Sequence, residues 1–367
     1  MTTLAHSIAQ TLTPARSSDR GEPSRWKMLR LRTAAARTRL LRWEFWPSWA
    51  IYLPLIPYIL FLAARYRGLR TCTHANPGIP HGGIVGESKW DILQLLPKQT
   101  IAPTALIARG PIPARLAHIG EIVARNRWAW PIILKPDVGE RGHGVKAVAT
   151  LADARDYLEA HPEPVLAQEL HPGPFEAGVF YYRFPNLPRG RIFSITDKRF
   201  ALVVGDGRST LRTLIWRHPR YRVQAQAFLI ALGARADSIP GPGVPVPIGS
   251  IGNHCRGAMF LDGARLITPE LETAFDAIAR RTEGFYFGRF DVRYADPAEF
   301  ALGRGFTIIE LNGLLSESTS IYDPSTTFWS AQKTLRAQWR IAFAIGHEVR
   351  QRSRVHRLAR PPATTRA

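Results

Sequence analysis

The chain predicts an α+β protein with an apolar, membrane-seeking helix ahead of its folded part. Three patterns lead there. Short runs of branched aliphatic residues alternate with capped helical stretches, residues 45–64 carry no charge, and arginines crowd both ends. Strand-sized apolar runs between amphipathic stretches belong to mixed folds. With 367 residues, 45% of them hydrophobic, there is enough chain for one sizeable catalytic core plus appendages.

Taken in order, residues 1–36 are polar, basic and without periodicity, and are expected as a disordered arm. Residues 37–70 form the membrane element, and 71–130 a connector, turn-rich from Asn76-Pro77-Gly78 to Gly82-Gly83, together with a reduced remnant of the domain that would precede the catalytic one. The catalytic domain is expected over 131–348 and a loose basic tail over 349–367. Residues 132–134 and 165–170 read as buried strands. Thr150 caps a helix running through Leu158, and Thr268-Pro269-Glu270 opens another with Leu271, Phe275 and Ile278 on one face. Residues 288–294 and 306–311 read as strands joined by a turn, and 240–247 as a proline-rich loop.

The net charge of +20 sits mostly at the ends, from Arg16 to Arg42 and from Arg350 to Arg366. Basic arms of this kind suit anionic lipid headgroups or nucleic acid. No zinc-finger spacing or aromatic RNA-binding signature accompanies them, so lipid is favoured and no nucleic-acid partner is expected. Cys72 and Cys255 are too few and too far apart for a disulfide framework or a metal cluster, which suggests a reducing compartment.

A charge-free stretch of about 20 residues is long enough to cross a bilayer. Pro54 and Pro57 interrupt it, and Arg37, Arg39 and Arg42 on one side are matched by Arg65, Arg67 and Arg70 on the other. Prolines cost backbone hydrogen bonds in lipid, and symmetric charge leaves orientation unset. A re-entrant or in-plane helix is preferred, with a true span and a buried soluble helix left open. The expected location is the inner membrane, with the catalytic part on the cytoplasmic face.

Chemistry concentrates in two places. Lys135 ends an apolar strand and runs into a loop with Gly139, Gly142, His143 and Gly144. An ammonium followed by glycines lets backbone N–H groups approach phosphate oxygens. Lysine is scarce beside arginine here, so a lysine inside a motif hints that a compact ammonium was needed. Further on, Asp291, Glu310 and Asn312 offer hard oxygens of the kind magnesium takes. Glu310 and Asn312 share a strand face because side chains repeat every second residue, and Arg289 shares one with Asp291. Such an arginine suits a transferring phosphoryl group. Each feature alone is commonplace; in this order they point to ATP with Mg2+.

These residues together resemble the ATP-grasp superfamily, whose members include D-alanine–D-alanine ligases, glutathione synthetases and cyanophycin synthetases. The resemblance covers residues 87–323 and implies an ATP-grasp fold, two α/β subdomains gripping ATP. It further implies that Lys135, Gly142, His143 and Gly144 close over the phosphates, and that Gln168-Glu169-Leu170 is the hinge meeting adenine. Glu176 corresponds to the ribose-binding acid, and Lys89, more loosely, to an earlier ATP-contacting lysine. Arg289 and Lys198 are implied catalytic residues, and Asp291, Glu310 and Asn312 the metal ligands. Lys198 equally suits a charged turn. His254 reads as structural, and whether Asn253 and Arg256 face the substrate is left open. The loop after Asn312, Gly313-Leu314-Leu315-Ser316-Glu317-Ser318, departs from that of the D-alanine ligases, so that specificity is not carried over.

The activity this implies is a membrane-associated carboxylate–amine ligase working through an acyl phosphate, in envelope or polysaccharide metabolism. Its partners would be small-molecule or lipid-linked carboxylates and amines, and membrane lipids. A non-catalytic ATP-binding membrane adaptor is the alternative.

Overall fold

The computed structural model describes residues 12–13, 25–84, 86–139, 142–249 and 257–358. Glu140 and Arg141 of the glycine loop, the segment holding Asn253, His254, Cys255 and Arg256, and the terminal arginines Arg16, Arg20, Arg360 and Arg366 lie outside them. The chain divides into two compact units, one of residues 1–51, 198–261 and 322–325, the other of residues 52–197, 262–321 and 326–367. The stretch expected as one continuous domain from 131 to 348 is therefore interrupted by 198–261.

In the first unit, helix α1 spans Arg25–Leu41, part of which was expected as a loose arm. Its alanines, leucines and arginines are strong helix formers, which outweighs the missing apolar stripe. Arg39 donates to the Val223 carbonyl at 3.0 Å, and Arg220 pairs with the buried Glu44 carboxylate at 2.7 Å. The core gathers Val203, Leu211, Ile215, Phe228 and Val246. The proline-rich stretch is not all loop: Pro245–Pro247 pairs antiparallel with Leu202–Val204, and Val246 between two prolines is buried. Proline tolerates such a position because only its missing N–H is lost to the ladder.

The second unit carries two sheets. The first runs in the order β1-β4-β2-β3, with β1 Thr104–Ile107, β2 Ile132–Pro136, β3 Lys146–Val148 and β4 Val165–Glu169, every neighbour antiparallel. Ile132, Leu134, Val148 and Val165 pack against Ile119, Tyr157 and Leu158 of two helices that span Ile112–Asn126 and Leu151–Ala160. Thr150 caps the latter as expected, its hydroxyl accepting the Asp153 N–H at 3.1 Å. Strand β1 and helix Ile112–Asn126 fall within the connector and reduced region expected over 71–130; at four residues, Thr104–Ile107 is too short for periodicity to register in sequence.

The second sheet places β5 Phe175–Tyr182, β6 Arg191–Arg199, β7 Phe287–Tyr294 and β8 Phe306–Asn312 in the order β6-β5-β7-β8. One face buries Val179, Tyr181, Phe290 and Val292 beneath Leu271, Phe275 and Ile278 of the helix Pro269–Arg281. Residues between those in sequence, among them Glu176, Arg289 and Asp291, fall on the opposite face. A short helix, Pro297–Ala301, stands in the turn expected between β7 and β8.

The apolar stretch breaks at its prolines, into a helix Ser48–Tyr52, a tight turn Leu53–Leu55 and a helix α2 of Ile56–Arg65. Ser48–Arg65 is long and apolar enough to cross a membrane by length and composition. Leu62 of α2 joins a core with Phe343, Ile345 and Val349 of the terminal helix Phe328–Leu358. That helix overruns the expected start of the tail at 349, since Val349 is one more turn of the same buried stripe.

Asn76 ties this core to β7. Its amide donates to the Gly82 and Phe287 carbonyls at 3.1 and 2.7 Å, and its oxygen accepts from the N–H groups of Tyr286 and Phe287 at 3.0 Å. The side chain is fully buried, so Asn76→Ala strands four backbone groups. We expect a loss of about 3 kcal/mol, read as a lower urea midpoint with unchanged slope.

Candidate nucleotide and metal site

The site is built where β7 meets β8. The register sets Asp291 opposite Glu310 and Arg289 opposite Asn312. Directly opposed residues of antiparallel strands share a face, so all four side chains stand together. The alternation read from sequence holds on this pair.

One irregularity completes the arrangement. The register shifts between Asp291 and Val292, whose partners are Glu310 and Ile308. Ile309 is the extra residue of a β-bulge, which re-aims backbone beside a site. Ile308 and Leu311 are consequently both buried although three apart, and the Ile309 carbonyl turns outward. It accepts from Lys135 Nζ at 3.0 Å and from the Gln168 amide at 3.4 Å. Nothing in Phe306-Thr307-Ile308-Ile309 announces this bulge.

Lys135 and Gln168 come from the neighbouring strands β2 and β4, and Lys135 also donates to the Gln168 oxygen at 3.1 Å. The Gln168 amide reaches the Thr104 hydroxyl of β1 at 2.8 Å. The two sheets are thus joined through one ammonium, one amide and one carbonyl. Ile308 further accepts from the Ala102 N–H at 2.9 Å. Burial pulls the Lys135 ammonium down to about 8, with Glu310 opposing, Lys89 adding and Asp291 and Glu176 opposing. Four charged site residues are therefore within its field.

Lys89 sits at the start of a helix, Lys89–Gln94, capped by Ser88. Its ammonium donates to the carbonyls of Asp137 (3.2 Å) and Gly139, tying it to the glycine loop. Asp137, which sequence reasoning passed over, accepts the Trp90 N–H at 2.9 Å. Gly142 and Gly144 take left-handed φ of 68° and 73°, a conformation glycine enters without strain. A Cβ on Gly144 would stand 2.6 Å from Pro136 Cγ. His143 between them is exposed.

Arg289 grips Asp291 with two bonds, Nε to Oδ1 at 2.9 Å and a terminal nitrogen to Oδ2 at 3.1 Å, and donates to the Glu317 carbonyl at 3.0 Å. Burial lowers the guanidinium's proton affinity, but Asp291, Glu310 and Glu317 outweigh it and leave the group raised. Asn312 adds a 3.2 Å bond to Asp291. Glu310 is half-buried and accepts no hydrogen bond from a described residue. Glu176 pairs with Arg293 at 3.4 Å on the same face, and the Arg293 side chain reaches the His171 carbonyl at 3.3 Å. Glu169 and Leu170 follow Gln168 at the end of β4, and the Glu169 N–H donates to the Pro103 carbonyl at 2.9 Å.

Lys198 stands near the end of β6, with its ammonium 5.8 Å from the centre of the Phe260 ring. Among the described residues no three His, Cys, Asp or Glu side chains converge as a metal cluster. The donor set still fits one hard cation. Magnesium characteristically takes one or two carboxylates and leaves the rest to water and phosphate, and Asp291, Glu310 and the Asn312 amide offer that on one face.

A separate cavity of about 560 Å³ is lined by Arg189, Arg191, Glu272, Asp276, Arg280 and Arg281. It lies at the end of helix Pro269–Arg281, on the other face of the sheet. Cations there answer the helix's free carbonyls.

No family model matches the chain, and no curated protein matches it in sequence. Among solved structures it is similar to a bifunctional glutathione synthetase from Pasteurella multocida, at 16% identity and a TM-score of 0.37, over 68% of this chain and 35% of that one. It is similar to a D-alanine–D-alanine ligase from Bacillus anthracis at 13% identity and 0.37, over 74% and 69%. VanG D-Ala:D-Ser ligase from Enterococcus faecalis gives 13% and 0.39, over 71% and 61%. The chain thus spans about a third of the glutathione synthetase's length. With TM-scores below 0.5, these likenesses lend no weight to a function.

Proposed function

We propose that the chain is an ATP-dependent carboxylate–amine ligase. One observation carries this reading: Asp291 and Glu310 face each other beside Arg289 and Asn312, with the buried Lys135 bonded into the same strand at Ile309. Phosphoryl transfer needs little covalent chemistry from a protein and much positioned charge. Lys135 and the glycine loop would hold the ATP phosphates, with Lys89 fixing that loop. A substrate carboxylate attacks the terminal phosphoryl group, ADP leaves, and the acyl phosphate lies against Arg289. An amine then displaces phosphate to form the amide, losing one proton. Splitting the condensation in two avoids a hydroxide leaving group. Asp291, Glu310 and Asn312 would hold Mg2+, which when bound neutralises phosphate charge.

The finer setting rests on the charge-free segment. It supports association with the cytoplasmic face of the inner membrane and a lipid-linked or envelope-polymer acceptor. Gln168, Glu169 and Leu170 are proposed to meet adenine and Glu176 the ribose. Lys198 is proposed for catalysis only on family resemblance.

The test is ADP release from ATP and Mg2+ against pools of amino acids and sugar acids, beside Asp291→Ala and Glu310→Ala controls. Pool-dependent ADP that vanishes in both controls is the expected result. Tight ATP binding without turnover in any pool would make the protein an adaptor instead.

A further inference from the structure

Helix α2 and the turn before it are apolar on every side but packed on only one. Leu55 and Leu62 are fully buried, whereas Leu53, Ile56, Leu60 and Phe61 are 57%, 47%, 56% and 56% exposed. Leu53, Ile56 and Leu60 are spaced three and four apart and Phe61 adjoins Leu60, so they form one stripe opposite the buried positions. The stripe ends in Arg65, Arg67 and Arg70, all exposed and none paired with an acid among the described residues. The apolar face wants to leave water, and the guanidinium groups beside it want anions.

We propose that this face docks on an anionic lipid bilayer, with α2 lying in the plane of the surface rather than crossing it. A crossing would have to strip Leu62 from the core it shares with Phe343 and Val349, and to expose the fully buried Leu55. Docking in plane keeps that core and covers the exposed stripe, while the arginines meet headgroup phosphates. The surface also adjoins the site. Tyr52, just ahead of the stripe, donates to the Glu317 carboxylate, and the Glu317 carbonyl holds Arg289. The loop after Asn312, which carries Glu317, therefore adjoins this face. This sharpens the membrane association proposed above and does not depend on the ligase chemistry.

The test is sedimentation of the full chain with vesicles of phosphatidylglycerol and phosphatidylcholine, and with phosphatidylcholine alone. Wild type is expected to bind the mixed vesicles far more tightly and to be released by alkaline carbonate. Replacing Arg65, Arg67 and Arg70 by glutamine should weaken mixed-vesicle binding on the order of a hundredfold. Leu53, Ile56, Leu60 and Phe61 changed together to serine should abolish binding, and Leu60→Ser alone should weaken it, with circular dichroism and thermal melting confirming that each variant folds. Unchanged sedimentation of the folded serine variants would overturn the proposal. So would carbonate resistance, or a wild-type dimer that the serine variants split without any vesicle binding. ADP release, measured separately, tells failure of this surface from failure of the site.

Discussion

Lys135→Met is expected to lower ADP formation about 10³-fold while the protein melts no lower than wild type. The two effects separate because the ammonium is held at a cost. Burial drops its proton affinity from 10.5 to about 8, which corresponds to roughly 3 kcal/mol against the folded state at neutral pH. Its two acceptors, the Gln168 oxygen and the Ile309 carbonyl, return part of that. Methionine fills the same volume without a charge to desolvate. The Ile309 carbonyl keeps the Gln168 amide, so only one acceptor loses its donor. Such a trade of stability for a charged site is the usual cost of function.

The pH dependence has a definite sign. Below about pH 8 folded and unfolded chains both hold the Lys135 proton, and the full cost is present. Between about 8 and 10.5 the unfolded chain binds more protons, so this contribution to stability rises with pH. The melting-temperature difference between Lys135→Met and wild type should therefore shrink across that window. Turnover that needs the ammonium should fall earlier, as pH rises through about 8, where the folded protein loses the Lys135 proton. A difference that widened with pH would contradict the burial of Lys135.

Asp291→Ala and Glu310→Gln are expected to cost activity alike and stability very differently. Each removes a carboxylate proposed above to hold Mg2+, so ADP formation should fall at least 10²-fold in both. Asp291, however, neutralises Arg289 through two hydrogen bonds in a buried setting. Removing one partner of a buried pair leaves the other charge uncompensated, at about 3 kcal/mol or more. Glu310 bonds to no described side chain and its loss should cost under about 1 kcal/mol. Thermal melts should show Asp291→Ala roughly 10 °C lower and Glu310→Gln near wild type. Equal melts would mean that the Arg289–Asp291 pair contributes nothing to the fold.

The candidate site was largely legible beforehand because its residues obey local rules. Lys135 closes an apolar strand, glycines follow, and Glu310 and Asn312 alternate along another strand. Those statements need only periodicity and the chemistry of side chains. Lys198 illustrates the opposite case. It stands in a charged run with no local rule to assign it a role, so its place among the site residues rests on resemblance alone. Residues 25–36 of the expected arm lie in helix α1 for a related reason, since helix propensity without an apolar stripe leaves little periodic signal.

By itself, then, the order of residues determined which groups could bear phosphate and metal, and that an uncharged segment precedes them. Tertiary structure alone decided that a bulge at Ile309 would aim a carbonyl at Lys135, that Asp291 would be clasped by Arg289, and that one side of α2 would be spent on the core. The reason is range. Side-chain type and spacing act over a few residues, whereas strand register, the pairing of buried charges and the choice of buried face arise from contacts between segments far apart in the chain.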